Sequence, residues 1–235
     1  MAPQAPTSES ISLPNVLMRI FAEGVVLAAI VWLSSGRVDW IRGWAYTAFI
    51  LLFQMLGFVQ LSRHSPDLLA ERMRIRKGTK TWDRFIEPAA AAVAPLVMLG
   101  LAGWDVRFHW PPLVPWAWSA AAFALSVISC VFTLRAMLAN RFFVTTVRIQ
   151  TERGHRVVDS GPYGYVRHPG YTGIILFNIA SPVALGSWLA LIPAAIAALL
   201  FILRTALEDR TLRAELEGYQ EYAGRVRYRL VPGLW

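Results

Sequence analysis

The side chains of this chain that could bind or move charge gather in two segments. Residues 150–171 read Q-T-E-R-G-H-R-V-V-D-S-G-P-Y-G-Y-V-R-H-P-G-Y, and residues 204–210 read R-T-A-L-E-D-R. Gly161, Pro162, Gly164, Pro169 and Gly170 punctuate the first, which predicts an ordered, turn-rich loop and not a helix. Arg204 and Glu208 stand four residues apart, so a helix carries both on one face. Each segment has a plain structural reading. The loop could anchor at a membrane surface with Tyr163, Tyr165 and Arg167 toward headgroups, and Arg204 could snorkel to water beside an ordinary surface ion pair. The functional reading is that the helix face meets the loop at His168. A third polar segment closes the chain, where Leu212, Leu216, Tyr219 and Tyr222 recur at helical spacing and predict an amphipathic helix up to about Ala223.

The elements that must position these residues are apolar. Of 235 residues, 56% are hydrophobic and 16% charged, and the mean hydropathy is +0.44, too apolar for a soluble domain. Apolar runs fall at 16–33, 44–61, 88–104, 116–139, 171–185 and 188–207. Each is near the length that crosses roughly 30 Å of hydrocarbon, the third and fifth being short. The last two are parted only by Gly186 and Ser187, which predicts a tight helical hairpin with Trp188 at a membrane surface. The first run is long and carries Glu23, so it is read as a span and not a signal sequence, with Glu23 near a helix end and bonded to a neighbouring helix.

Charge orients the bundle. Segment 62–87 holds Arg63, Arg72, Arg74, Arg76, Lys77, Lys80 and Arg84; segment 140–170 holds Arg141, Arg148, Arg153, Arg156 and Arg167; the tail holds Arg210, Arg213, Arg225, Arg227 and Arg229. The opposite loops hold Arg37, Arg42 and Arg107, with Trp40, Trp44, Trp104, Trp110, Trp116 and Trp118 for the interface. By the positive-inside rule both termini and the polar segments are cytoplasmic. The net charge of +8 sits in short loops and not on one folded face, which argues against nucleic acid as a partner. A lone Cys130 and the unpaired spacing of His64, His109, His155 and His168 predict no metal site. The fold expected is all-α: a polytopic transmembrane bundle of about six spans, a cytoplasmic loop and an amphipathic C-terminal helix. Its parts are a disordered tail over 1–14, helices over 15–139 and a catalytic region over 140–235.

The motif G-P-Y-x-x-V-R-H-P-x-Y-x-G at 161–173, the hairpin, E-D at Glu208 and Asp209, Y-x-x-Y at Tyr219 and Tyr222, and R-L-V-P at 229–232 occur in that order. Over roughly 147–235 the chain resembles the isoprenylcysteine carboxyl methyltransferase family and its phospholipid-methylating relatives. One departure is that the family often carries two glutamates where this chain has Glu208 and Asp209. The resemblance implies an S-adenosylmethionine pocket built from the loop, the end of the last span and the tail. It implies cofactor contacts from His155, Arg156, Val157 and Val158, then Tyr163, His168, Pro169, Gly170 and Tyr171, with Glu208 at a polar end and Gln150 as a further contact. Arg204 matches the arginine that in the family faces the acceptor. A carboxylate acceptor needs orientation and no strong base, whereas an amine would have to lose a proton, with Glu208 or His168 at hand. The acceptor expected is lipidic, reaching the site laterally from the bilayer. Phospholipid or amine N-methylation, an NADPH-dependent sterol-type reductase and a non-enzymatic scaffold are the alternatives.

Overall fold

A computed structural model of the chain describes residues 13–73 and 78–235. The expected disordered tail lies almost wholly outside those residues, as do Arg74, Arg76 and Lys77. Among the described residues there are helices, turns and irregular segments and no strand. The helices are α1 (Leu13–Ser35), α2 (Ile41–His64), α3 (Pro66–Arg72), α4 (Asp83–Pro88), α5 (Ala94–Phe108), α6 (Trp116–Ala139), α7 (Pro169–Leu185), α8 (Leu191–Glu215) and α9 (Tyr219–Arg225).

Five helical stretches are long and apolar enough to cross a membrane: α1, α2, Asp83–Phe108, α6 and α8. The third is continuous because a π-helical turn, Ala89–Val93, joins α4 to α5. Pro88 and Pro95 bracket that turn. Neither ring can donate an amide hydrogen, and the wider turn accommodates the interrupted ladder. At 17 residues α7 is shorter. Phe21, Leu52, Ile128 and Leu199 turn outward with more than half their surface exposed. Large apolar side chains on the outside of helices are stable against lipid and not against water, so the chain is an integral membrane protein.

The interior is correspondingly rich in small and hydroxyl-bearing residues. Helix α7 lies so close to α6 that a Cβ at Gly173 would stand 2.1 Å from Thr133 Oγ1 and 2.9 Å from the Ser129 carbonyl. Tyr46 of α2 donates to Ser181 Oγ of α7 at 2.9 Å. Glu23 accepts from Gln54 of α2 at 2.7 Å, the interhelical bond expected, although it sits mid-way along α1 and not near an end. The expected hairpin of α7 and α8 is present. Gly186 makes the turn with φ at 89°, and Ser187 Oγ accepts from the Ala190 amide while donating to buried Asp105 at 2.6 Å.

The C-terminal part departs from its expectation. Helix α8 runs to Glu215, well past the expected limit at Leu207, stops at Leu216 and restarts as α9 after Gly218, whose φ is 76°. The apolar face of Leu212, Leu216, Tyr219 and Tyr222 is therefore bent, and it packs against Ile149 and Val157 of the polar loop. The tail is a clasp on the loop and not one straight amphipathic helix.

Candidate functional site

The end of α6, the start of α4, the start of α7 and the end of α8 come to the same end of the bundle, where segment 140–168 and the tail close over them. That loop has few ladder bonds of its own, so its shape is set by side chains. Gln150, 1% exposed, donates to the Phe142 carbonyl at 2.8 Å and accepts from Arg153. Buried Arg148 reaches Glu71 at 2.6 Å and Glu152 at 2.8 Å. His155 packs against Phe142 with ring centroids 4.5 Å apart and the planes tilted by 36°, and accepts from the Gln150 amide at 3.3 Å. Burial lowers the His155 pKa to about 4, with Arg148 and Arg153 adding to the shift, so the ring is neutral at physiological pH.

Asp209, fully buried, ties the loop to the tail. Arg167 forks onto it at 2.7 and 3.3 Å and sends its remaining terminal nitrogen to the carbonyls of Val226 and Arg227. Arg213 and Arg229 reach Asp209 Oδ2 at 3.0 and 3.1 Å, and Tyr219 donates to Asp209 Oδ1 at 3.0 Å. His168 stands 3.6 Å away. Burial and the Asp209 charge raise the Tyr219 pKa, which keeps that phenol a donor. Backbone bonds from Arg167 to Tyr228 and from His168 to Arg229, and Tyr222 on the Tyr163 carbonyl at 2.8 Å, complete the closure.

The other carboxylates belong to the helices. Arg204 is 4% exposed, and its Nε and Nη2 fork onto fully buried Asp83 at 2.7 and 3.1 Å while Nη2 also donates to the Thr145 carbonyl. Its Nη1 has no hydrogen bond among the described residues. Tyr171 donates to Glu208 at 2.5 Å and lies 5.3 Å under the Arg204 guanidinium. A Cβ on Gly170 would stand 2.2 Å from the Phe143 ring, so glycine there lets the loop lie against the start of α7.

Between these networks is a cavity of about 220 Å³. Of the residues singled out in sequence, Gln150, His155, Arg156, Val157, Val158, Tyr163, His168, Gly170, Tyr171, Arg204 and Glu208 all line it. Pro169 does not: it is the first residue of α7, buried, and its fixed φ starts that helix. Gln150 spends both ends of its side-chain amide within the loop. Arg204 does not snorkel to water, because Asp83 holds it inside. The sequence reading missed Asp83 and Glu87, one helical turn apart at the head of the third span, and missed Arg72, which lines the cavity and donates to the Phe143 carbonyl at 3.1 Å. Two acidic residues four apart inside a basic segment were the available signal.

At one end the lining is Val157, Leu212, Leu216 and Tyr222 with Glu208, His168 and exposed Arg156; toward the bundle it is Ala91, Ile174 and Phe201 with Arg72, Glu87 and Arg204. An apolar shelf beside a carboxylate suits a flat ring system with a charged appendage, and the bundle end suits a lipid-like group with a polar head.

Comparison with known proteins bears on the same segment. Residues 120–214 match the model of the isoprenylcysteine carboxyl methyltransferase (ICMT) family, from within α6 to the last turn of α8. The chain is 30% identical over 114 residues to protein-S-isoprenylcysteine O-methyltransferase B of Arabidopsis thaliana, covering 46% of this chain and 58% of that protein. It is 25% identical over 174 residues to protein-S-isoprenylcysteine O-methyltransferase of Rattus norvegicus, covering 73% of this chain and 57% of the other. A Delta(14)-sterol reductase of Schizosaccharomyces pombe is 32% identical over 87 residues, 36% of this chain and 20% of the reductase. The chain thus spans little more than half the length of the two methyltransferases.

Proposed function

We propose that the protein, whose residues 120–214 match the model of the isoprenylcysteine carboxyl methyltransferase family, transfers a methyl group from S-adenosylmethionine to a lipid-like acceptor, in first place the carboxylate of an isoprenylcysteine-like molecule. The observation that carries the reading is the shared cavity, in which the loop from Gln150 to Tyr171 meets Arg204 and Glu208. On this reading the basic end of the bundle faces the cytoplasm.

The residues present fit the donor. Val157, Leu212, Leu216 and Tyr222 offer an apolar bed for a purine, and Glu208 with His168 offers polar partners for the charged parts. S-adenosylmethionine supplies a methyl group on a cationic sulfur. The remaining work is alignment and exclusion of water. A carboxylate is nucleophilic at neutral pH, so no general base is required, and transfer consumes one negative charge of the acceptor. Asp83 fixes the Arg204 fork, which leaves Nη1 as a rigid donor for the acceptor's oxygen. Tyr171 orients Glu208 and forms a wall between the two ends. The acceptor's chain lies among Ala91, Ile174 and Phe201 and reaches the site from the bilayer.

The test is transfer of labelled methyl from S-adenosylmethionine by purified protein in lipid nanodiscs, offered an S-prenylated cysteine, prenylated peptides and total phospholipid, with mass analysis of the product. A labelled methyl ester supports the reading; label in phospholipid amine moves the acceptor; no label on any acceptor overturns it. The match to a sterol reductase keeps a second reading open, in which the same pocket takes a nicotinamide dinucleotide. Thermal stabilisation in detergent by S-adenosylhomocysteine and not by NADPH supports the first reading, and the reverse the second.

A further inference from the structure

The polar groups around the cavity are unequally occupied. Asp83 and Arg204 satisfy each other, Glu208 holds the Tyr171 hydroxyl, and Arg72 donates to the Phe143 carbonyl. Glu87 stands apart. It lies one turn after Asp83 on the same helix face, is half-buried, lines the cavity beside Arg72 and Arg204, feels the charges of those two arginines without touching either, and makes no hydrogen bond among the described residues. A carboxylate drawn partly out of water without a donor is costly, and the cost is offset when a ligand brings one.

The acceptor's own chemistry decides which donor. A head consisting of a carboxylate alone would find Arg204 Nη1 and Arg72 but would also face the like charge of Glu87. A head with a nitrogen donor next to the carboxylate is matched at both points: its oxygens meet the arginines and its N–H meets Glu87. We propose that Glu87 is a specificity-determining residue that accepts a hydrogen bond from the ammonium or amide nitrogen beside the acceptor's carboxylate, so that the site selects an α-amino-acid head over a plain carboxylic-acid head. This rests on the carboxyl methyl transfer proposed above.

The experiment compares two acceptors with the same prenyl tail, S-prenyl-cysteine and S-prenyl-3-mercaptopropionate, which differ only in the nitrogen. Methyl transfer is measured with the full chain in nanodiscs, for wild type, Glu87→Gln and Glu87→Asp. The wild type is expected to prefer the cysteine compound by about tenfold or more in kcat/KM. Glu87→Gln brings that ratio to within about threefold of unity, and Glu87→Asp, which keeps the charge, retains an intermediate preference. Thermal stabilisation by S-adenosylhomocysteine shows that each variant is folded. A wild type with no preference, or a ratio that Glu87→Gln leaves unchanged, overturns the assignment even though methyl esters form. If neither compound is methylated, the carboxyl methyl transfer reading falls and the assignment with it.

Discussion

The tail clasp and the cavity wall use buried charge in opposite ways. At the tail end one carboxylate, Asp209, serves Arg167, Arg213, Arg229 and Tyr219 at once. Along the cavity wall the charges are spread: Asp83 on Arg204, Glu208 on Tyr171, and Glu87 hydrogen-bonded to nothing among the described residues. The first arrangement leaves little donor or acceptor capacity for a ligand, and it closes the chain. The second leaves Arg204 Nη1 and Glu87 without a hydrogen bond among the described residues, both on residues that line the cavity. Glu208 and Asp209 are adjacent in sequence, yet consecutive helix positions point some 100° apart. One therefore faces the cavity and the other the tail.

The sharpest break of this comparison is Asp209→Ala. It strands three arginines, one of them buried, and is expected to destabilise the protein by about 3–5 kcal/mol. Thermal unfolding in detergent measures the loss, and limited proteolysis between 216 and 235 reports an opened tail. Glu208→Gln should cost no more than about 1 kcal/mol of stability and yet weaken S-adenosylhomocysteine binding at least tenfold. Equal loss of stability in the two variants would abolish the distinction between the clasp and the cavity wall.

Arg204 and Asp83 come next. Arg204→Lys keeps the charge and loses the fork, and Asp83→Asn loses the charge that holds it; each is expected to lower kcat about 100-fold for methyl transfer. Because both act through one geometry, the double variant should be little worse than either single one. Rate losses that multiply would mean that Asp83 acts on something other than Arg204.

How far this was legible in the sequence follows from what kind of interaction makes each part. The long apolar helices were legible because hydrocarbon length and apolar composition set them, although five and not six are long enough to cross a membrane, and the shared wall of Tyr171 and Glu208 was legible through motif order. The break at 216–218 was not: Leu212, Leu216, Tyr219 and Tyr222 fit one helix by period, and only Gly218 marks the turn that redirects the second half onto Val157. Asp83 and Glu87 were hidden by a different effect. Their segment was weighed by its excess of positive charge, and pairing across 121 residues, as between Asp83 and Arg204, leaves no local period to detect. Pro169 shows the converse, a motif residue that lies off the cavity wall and starts a helix.

A smaller effect sharpens the wall between the two ends. Tyr171→Phe removes the hydroxyl that orients Glu208 and leaves the ring under Arg204 and beside Phe201. Loss of about 1–1.5 kcal/mol is expected in binding of S-adenosylhomocysteine, a factor of roughly five to ten, with thermal stability of the unliganded protein nearly unchanged. Isothermal titration on the variant reads the first and differential scanning fluorimetry the second. An unaltered affinity would show that Glu208 is held well enough by its helix alone.

The smallest effect concerns pH and the loop at the tail end. His155 has a folded pKa of about 4 against an ordinary value near 6.5, because burial and then Arg148 and Arg153 oppose its charge. Between those two values the unfolded chain takes up a proton that the folded loop refuses, so stability falls as pH drops from about 6.5 to about 4 and is flat with respect to this group above that window. His155→Gln removes the titrating ring. The ring is partly open to solvent at the loop surface, so the effect is about 1 kcal/mol once screening is allowed for. Tm measured at intervals from pH 7.5 to pH 4 should decline less steeply below pH 6.5 in His155→Gln than in wild type. Parallel curves for the two proteins would mean that the neutral histidine packed against Phe142 contributes nothing to holding the loop shut.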